Sequence, residues 1–321
     1  MEQLKRLFET YLASQIPDKK PGNLYTPLHY ILQNGGKRIR PMLVLLSAQS
    51  FGKKPEIAMP AASAIEIFHN FTLIHDDIMD QSDIRRGKPT VHKKWNENIA
   101  ILAGDTMMIW AYKTLEKYEA ETYKKLNTLL IQTAIEVCEG QQMDMDFESK
   151  TNVKIQEYLE MIRLKTAVLL GTALQFGGIV AKTSTENLKN INDFGEKLGL
   201  AFQIQDDYLD TYGDTSTFGK KIGRDIIDRK KTFLYITALN RANSTDKQIL
   251  IDLYQDKSID EKKLIETTTT LFNKYNIPEI SLQKINEYTN KALLSLSKID
   301  FEKEEIDFWK NFALNLINRE K

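Results

Sequence analysis

A single cysteine, Cys138, serves the whole 321-residue chain, so no internal disulfide holds it together and a reducing compartment suits it. Net charge is missing too. The 44 Lys+Arg stand against 44 Asp+Glu, which removes any bulk electrostatic argument for nucleic acid or an acidic surface and leaves only local clustering. Long apolar runs are also lacking. The longest uncharged one, Ala167 to Ala181, falls short of the roughly 20 residues a membrane-crossing helix needs and carries Thr172 and Gln175. The opening MEQLKRLFETYLASQI is charged throughout and has no apolar signal core. These absences lead to the expectation of a cytoplasmic protein with no stable membrane insertion and no nucleic-acid partner.

Proline and glycine are scarce where it matters. No proline falls between Pro89 and Pro278. Because proline costs about 3 kcal/mol inside a helix, a chain that avoids it for so long is compatible with helix after helix. Alternating β-branched runs bounded by Asn-Gly or Asp-Gly turns are few. Apolar residues instead recur at helical spacing, as in Ile101, Met108, Ile109, Tyr112 and Leu115. The chain reads as all-α. No Ser/Gly linker or charge block divides it, so one domain over residues 1–321 is expected, with the Lys/Glu-rich last sixty residues as solvated outer helices.

Nucleophilic machinery is absent as well: there is no GxSxG, no P-loop, and no histidine partner in sequence for Cys138. The four histidines His29, His69, His75 and His92 lack CxxC or HExxH company, which argues against zinc.

What the chain does have is carboxylate, twice over. The first cluster is His75-Asp76-Asp77-Ile78-Met79-Asp80, at the end of a helical stretch that opens near Pro60. Asp76 and Asp80 share a helix face, continued backwards by Thr72, Phe68 and Ile65. The second is Gln205-Asp206-Asp207-Tyr208-Leu209-Asp210, on the face of Gly199, Gln203, Asp206 and Asp210. Carboxylates stacked one turn apart repel, and the negative end of the helix dipole worsens it, so a cation must offset them. A solvated acidic face explains one such motif but poorly explains two that each end an apolar stripe. A hard, oxygen-seeking ion such as Mg²⁺ fits, held by carboxylates, waters and substrate phosphates.

Basic, glycine-containing segments accompany them. Gly35-Gly36-Lys37-Arg38-Ile39-Arg40-Pro41 precedes the first cluster, and Asp83-Ile84-Arg85-Arg86-Gly87-Lys88-Pro89 follows it. Phe218-Gly219-Lys220-Lys221-Ile222-Gly223-Arg224-Asp225 follows the second, with Arg229-Lys230-Lys231 beyond. Acid for metal beside base for phosphate describes a Mg-diphosphate site.

Taken in order, GGKRIRP, HDDIMD, RRGKPT, GDTMM, EGQQMD, LKTA, FQIQDDYLD and FGKKIGRDI make the chain resemble the trans-isoprenyl diphosphate synthase (polyprenyl synthetase) family from about Gly35 to Lys231. The resemblance implies an all-α homodimer whose helices surround a deep apolar cavity. It implies Asp76, Asp77, Asp80, Asp206, Asp207 and Asp210 as Mg²⁺ carboxylates, for three ions per site with Mn²⁺ as a substitute. It implies Lys37, Arg40, His69 and Arg86 for isopentenyl diphosphate. It places Arg85, Lys165, Thr166, Gln203, Lys220 and Lys230 around the allylic diphosphate, with the choice between Lys220 and Lys221 open.

The implied reaction is Mg-dependent head-to-tail 1'-4 condensation. The allylic diphosphate departs, Thr166 and Gln203 stabilise the carbocation, and the alkene of isopentenyl diphosphate attacks it. A class I terpene cyclase would carry an Asn/Ser/Glu-type second motif rather than a repeated DDxxD. An HD-type phosphohydrolase, readable from His75-Asp76, would need more metal-binding histidines. A non-catalytic subunit of a heteromeric synthase would have degraded acidic motifs. For product length, Phe71 and Thr72 lie just before Asp76; a helical wheel nominates Thr72 with Phe68 a turn deeper, whereas the resemblance nominates Phe71 as the floor of a pocket for a product of fifteen or twenty carbons.

Overall fold

The structure is a computed structural model and describes residues 1–213 and 223–317. It is 79% helical, and the described residues contain no β-structure beyond two dipeptides, which settles the fold class as all-α. Contacts divide the chain into two compact units: Met1–Gln132 with Thr172–Lys189, and Thr133–Gly171 with Asn190–Lys321.

The first unit contains α1 (Glu2–Ala13), α2 (Gly22–Gln33), α3 (Ile39–Ser50), a 3₁₀ turn (Pro55–Ala58), α4 (Met59–Met79), the strands β1 (Ile84–Arg85) and β2 (Lys88–Pro89), α5 (Val91–Lys94), α6 (Glu97–Leu115) and the start of α7 (Ala120–Ser149). Pro60 sits in the first turn of α4, where its missing N–H is no loss. This helix is buried nearly all round, from Ala61 through Phe68, as expected of a helix at the centre of a core. It ends at the first acidic motif, with Asp80 as its C-cap.

The chain then turns back through a two-residue hairpin, Ile84 facing Pro89 and Arg85 facing Lys88. Its loop residues, Arg86 (φ 54°) and Gly87 (φ 74°), are both left-handed, the conformation that matches the twist of such a hairpin. The hairpin projects Arg85 and Arg86 immediately after the aspartates. Asn96 caps α6, its side chain accepting from the Ile99 N–H.

The second unit contains the remainder of α7, then α8 (Ile155–Ile162), a π turn (Arg163–Ala167), the start of α9 (Val168–Ala181) and most of α10 (Thr185–Tyr212). Beyond the undescribed segment come α11 (Arg224–Ile227), α12 (Phe233–Arg241), α13 (Ser244–Gln255), α14 (Glu261–Lys274), α15 (Ile277–Leu296) and α16 (Lys303–Ile317). The C-terminal helices differ from the solvated layer expected of them. Trp309 is fully buried and meets Phe194 of α10 edge-on at 6.0 Å, and Ile285, Ala292 and Leu296 are buried as well. Their Lys and Glu residues occupy only the outward face.

Two stretches, Pro55–Met79 and Ile155–Ala181, are long and apolar enough to cross a membrane by length and composition, but 72% and 83% of their apolar windows are buried inside the protein. They read as core helices.

The π turn depends on a close approach. A Cβ built on Gly140 of α7 would lie 2.3 Å from the backbone nitrogen of Lys165 and 2.7 Å from the carbonyl carbon of Leu164. Only a hydrogen lets the two backbones meet there. Gly140→Ala should therefore cost about 1–3 kcal/mol, read as a lower thermal midpoint.

Candidate active site

In the first unit a set of arginines converges on α4. Arg38, itself left-handed at φ 53°, buries its guanidinium; Nη1 donates to Glu66 and Nη2 to the Leu32 carbonyl, while Nε lies 3.6 Å from Glu9. Glu66 is 2% exposed and also accepts from Asn70 Nδ2 at 3.0 Å. The backbone between Lys37 and Arg40 is thereby tied to α4. Arg40 Nη1 then lies 3.3 Å from His69 Nε2. A guanidinium cannot accept, so His69 receives at Nε2 and is neutral. Burial, followed by the charges of Arg40, Arg86, Arg85 and Arg38, holds its pKa well below the ordinary imidazole value. Arg86 Nη1 donates to the Gly35 carbonyl, and the absence of a side chain on Gly36 leaves space for its guanidinium, which a Cβ would approach to 2.8 Å. Of the residues expected to hold isopentenyl diphosphate, the structure thus brings Arg40, His69 and Arg86 together; Lys37 is exposed on the same loop.

The first acidic motif faces two ways. Asp76 is half-buried and Asp80 exposed, whereas Asp77 is buried. Arg85 links the motif, with Nη2 2.7 Å from Asp77 Oδ1 and 3.6 Å from Asp76 Oδ2. Burial outweighs this pairing and pushes the Asp77 carboxyl above its ordinary value. Its Oδ2 is buried with no hydrogen-bond donor among the described residues, an oxygen a cation could take. Behind Asp76, the Phe71 ring lies between Phe68 (5.5 Å) and His75 (4.9 Å, edge-on), and His75 Nε2 is 3.2 Å from the Ile101 carbonyl of α6. Thr72 bonds back to the His69 carbonyl at 2.8 Å and is half-buried.

The second unit builds a different arrangement. Lys165 Nζ pairs with Asp144 Oδ2 at 2.6 Å. Thr166 Oγ1 lies 3.1 Å from Gln203 Oε1, and Gln203 Nε2 donates to Asp207 Oδ1 at 3.1 Å. The Tyr158 hydroxyl donates to Asp207 Oδ2 at 2.6 Å. Asp207 is 5% exposed, and burial pushes its carboxyl up to about 6. Asp206 and Asp210 are half-buried. Asp210 Oδ2 accepts the Asp225 N–H at 2.8 Å, and burial together with Asp207 and Asp210 raises the Asp225 carboxyl well above its ordinary value.

Downstream, Arg229 donates to the carbonyls of Ile227 and Asp256, and Lys231 to those of Phe147 and Glu148 at the end of α7. Lys230 is half-buried between them, and its charge acts on Asp225. Lys220, and Lys221 beside it, lie outside the described residues.

Both acidic motifs supply oxygen donors, and the described residues contain no cluster of three or more His, Cys, Asp or Glu that cages a metal on its own. That donor set fits Mg²⁺, which takes one or two carboxylates and completes its shell with water and phosphate. Glu66, Asp144, Tyr158 and Asp225 escaped the reading of the sequence. Asp144 and Asp225 stand inside EGQQMD and GRDI, segments that carried a signal but no assigned role. Glu66 lies in an apolar helical stretch and Tyr158 in an amphipathic one, and neither carries such a signal.

The family profile described as "Polyprenyl synthetase" matches residues 21–271. A short chain isoprenyl diphosphate synthase of Methanothermobacter thermautotrophicus is 37% identical over 280 residues, covering 87% of this chain and 85% of that protein. A geranylfarnesyl diphosphate synthase of Natronomonas pharaonis is 38% identical over 245 residues, covering 71% and 72%. A crystal structure of a geranylgeranyl pyrophosphate synthase superposes with a TM-score of 0.95 at 43% identity, covering 100% of this chain and 99% of the other.

Arg38→Met should be severe for a surface-facing loop. It leaves Glu66 buried without its principal partner, a loss of about 3–5 kcal/mol in urea unfolding. The exposed Arg6–Glu2 pair at 3.8 Å gives the contrast: Arg6→Met should move the midpoint by less than about 0.5 kcal/mol.

Proposed function

The chain belongs to the polyprenyl synthetase family and is a short-chain trans-prenyltransferase, and from that premise we propose that it joins isopentenyl diphosphate head to tail to an allylic diphosphate. The observation that carries this reading is the pair of intact DDxxD motifs, each with arginine or lysine close behind it. A terpene cyclase or a non-catalytic subunit would not keep both. The family profile takes in segments of both compact units, which supports a single polyprenyl synthetase domain over residues 1–321.

In the first unit, Lys37, Arg40 and Arg86 hold the diphosphate of isopentenyl diphosphate, with neutral His69 as a hydrogen-bonding wall. A neutral imidazole can offer its Nδ1–H to a phosphate oxygen while Nε2 accepts from Arg40. Asp76, Asp77 and Asp80, with Arg85 holding the middle carboxylate, are one set of Mg²⁺ ligands; Asp206 and Asp210 are the other. When bound, three Mg²⁺ ions (or Mn²⁺ in their place) supply the positive charge that makes the allylic diphosphate a leaving group. Arg85, Lys165 and Lys230, with Lys220 or Lys221, take up charge on the departing oxygens. Thr166 and Gln203 direct oxygen dipoles at the allylic cation. The proton lost after carbon–carbon bond formation goes to the released diphosphate, since no side chain here is needed as base.

The protein works in the cytoplasm, without stable membrane insertion, as a homodimer. Support for the dimer comes from α6, where Leu102 and Ile109 are 58% and 63% exposed and stand two turns apart on one face. The Phe71 ring, large and packed on Phe68 and His75, argues for a product of fifteen or twenty carbons. The geranylgeranyl and geranylfarnesyl relatives bracket the upper end of that range.

Incubation with Mg²⁺, labelled isopentenyl diphosphate and an allylic diphosphate should give prenyl diphosphates of up to twenty carbons. Hydrocarbons or inorganic phosphate would overturn the reading. Asp76→Ala should cut turnover by about 10³-fold or more with the thermal midpoint retained.

Phe71→Ala should lengthen the product by at least one five-carbon unit at unchanged Mg²⁺ dependence. If Phe71 only fills the core, the variant instead loses a few kcal/mol of stability, about 3–5, and its product distribution stays put.

A further inference from the structure

Asp207 has both carboxylate oxygens committed to protein donors. Tyr158 donates to Oδ2 at 2.6 Å, and the Phe233 backbone N–H lies 3.5 Å from the same atom. Gln203 faces Oδ1 at 3.1 Å. An ionised carboxylate can only accept, so the atom of Gln203 that faces it must be the NH₂ group. The carbonyl of Gln203 then points the other way, 3.1 Å from Thr166 Oγ1, and a carbonyl can only accept. Thr166 must spend its hydroxyl hydrogen there. Each step follows from donor and acceptor valence, and together they fix the direction of the whole chain. Whatever approaches Thr166 from its open side meets oxygen lone pairs.

We propose that Asp207 is a positioning residue, not a metal ligand: it sets the polarity of the Gln203–Thr166 relay so that the Thr166 oxygen, rather than its hydrogen, is presented to the allylic cation. This rests on the reading that Thr166 and Gln203 face that cation. Asparagine at 207 reverses the relay. The two donors converging on Oδ2 keep the asparagine oxygen on their side, which turns its NH₂ toward Gln203. Gln203 must then flip to present its carbonyl, its NH₂ donates to Thr166, and the Thr166 hydrogen swings outward toward positive charge.

The test is a double-mutant cycle with isopentenyl and dimethylallyl diphosphates, reading kcat, the Mg²⁺ half-saturation and the thermal midpoint of each enzyme. Thr166→Val alone should lower kcat about 10-fold or more, and Asp207→Asn alone by a similar factor. The double variant should fall no more than about twofold below the slower single one, because the hydroxyl lost is already misdirected. The Mg²⁺ half-saturation should be unmoved by Asp207→Asn.

Multiplicative losses in the double variant overturn the proposal, and so does a severalfold rise in the Mg²⁺ half-saturation, which would return Asp207 to the metal. A Thr166→Val enzyme with full kcat defeats the reading of Thr166 itself and the orientation with it. Asp76→Ala and the product assay judge the prenyltransferase reading separately. If Asp207→Asn does not fold, Gln203→Met severs the same relay; non-additivity with Thr166→Val supports the proposal and additivity ends it.

Discussion

Like charges one helical turn apart at the negative end of a helix are the constraint around which both motifs are built. Three carboxylates end α4 and three more end α10, each set adding to a dipole that already repels them. The two units answer differently. The first brings a full positive charge: Arg85, projected by a hairpin whose left-handed loop lets the chain reverse within two residues, binds Asp77 and reaches Asp76. At its middle carboxylate the second uses neutral donors. Tyr158 and Gln203 bond that carboxylate, whose pKa burial still pushes up to about 6 against them. Charged compensation leaves an oxygen of Asp77 unsaturated, whereas neutral compensation saturates Asp207.

Much of this was written in local pattern. Pro60 and the apolar stripe behind Asp76 placed a helix that the structure begins at Met59 and ends at Met79. The basic followers were visible as glycine-containing loops, and the role of glycine at 87 is the left-handed turn. What stayed hidden depends on distance along the chain. Glu66 lies 28 residues from Arg38, and Tyr158 lies 49 residues from Asp207. Neither stands out from its own helix until packing brings its partner. The π turn is likewise absent from LKTA as a local signal, and the close approach it makes is to Gly140 on another helix.

The wheel reading of α4 also shows where geometry without neighbours runs out. It placed Thr72 on the face of Asp76, and Thr72 is indeed half-buried, but its hydroxyl is engaged with the His69 carbonyl. Phe71 occupies a crowded position, in contact with Phe68 and His75 on a helix packed closely against α6. The angle was legible from spacing. The density of packing on either side was not.

Among the described residues, three of the six non-glycine positions with positive φ are arginines: Arg38, Arg86 and Arg229. Each adopts a backbone conformation that costs an L-residue roughly 1–2 kcal/mol, and glycine would adopt all three without strain. A programme of stabilisation by local propensity would therefore target these positions first. It would relax the backbone and in the same stroke remove the guanidiniums that tie the 35–40 loop to α4, act on His69 by their charge and hold the chain after α11. At these three positions the strain stands beside contacts that only the side chain makes, so they are the ones to leave alone when the protein is made more robust.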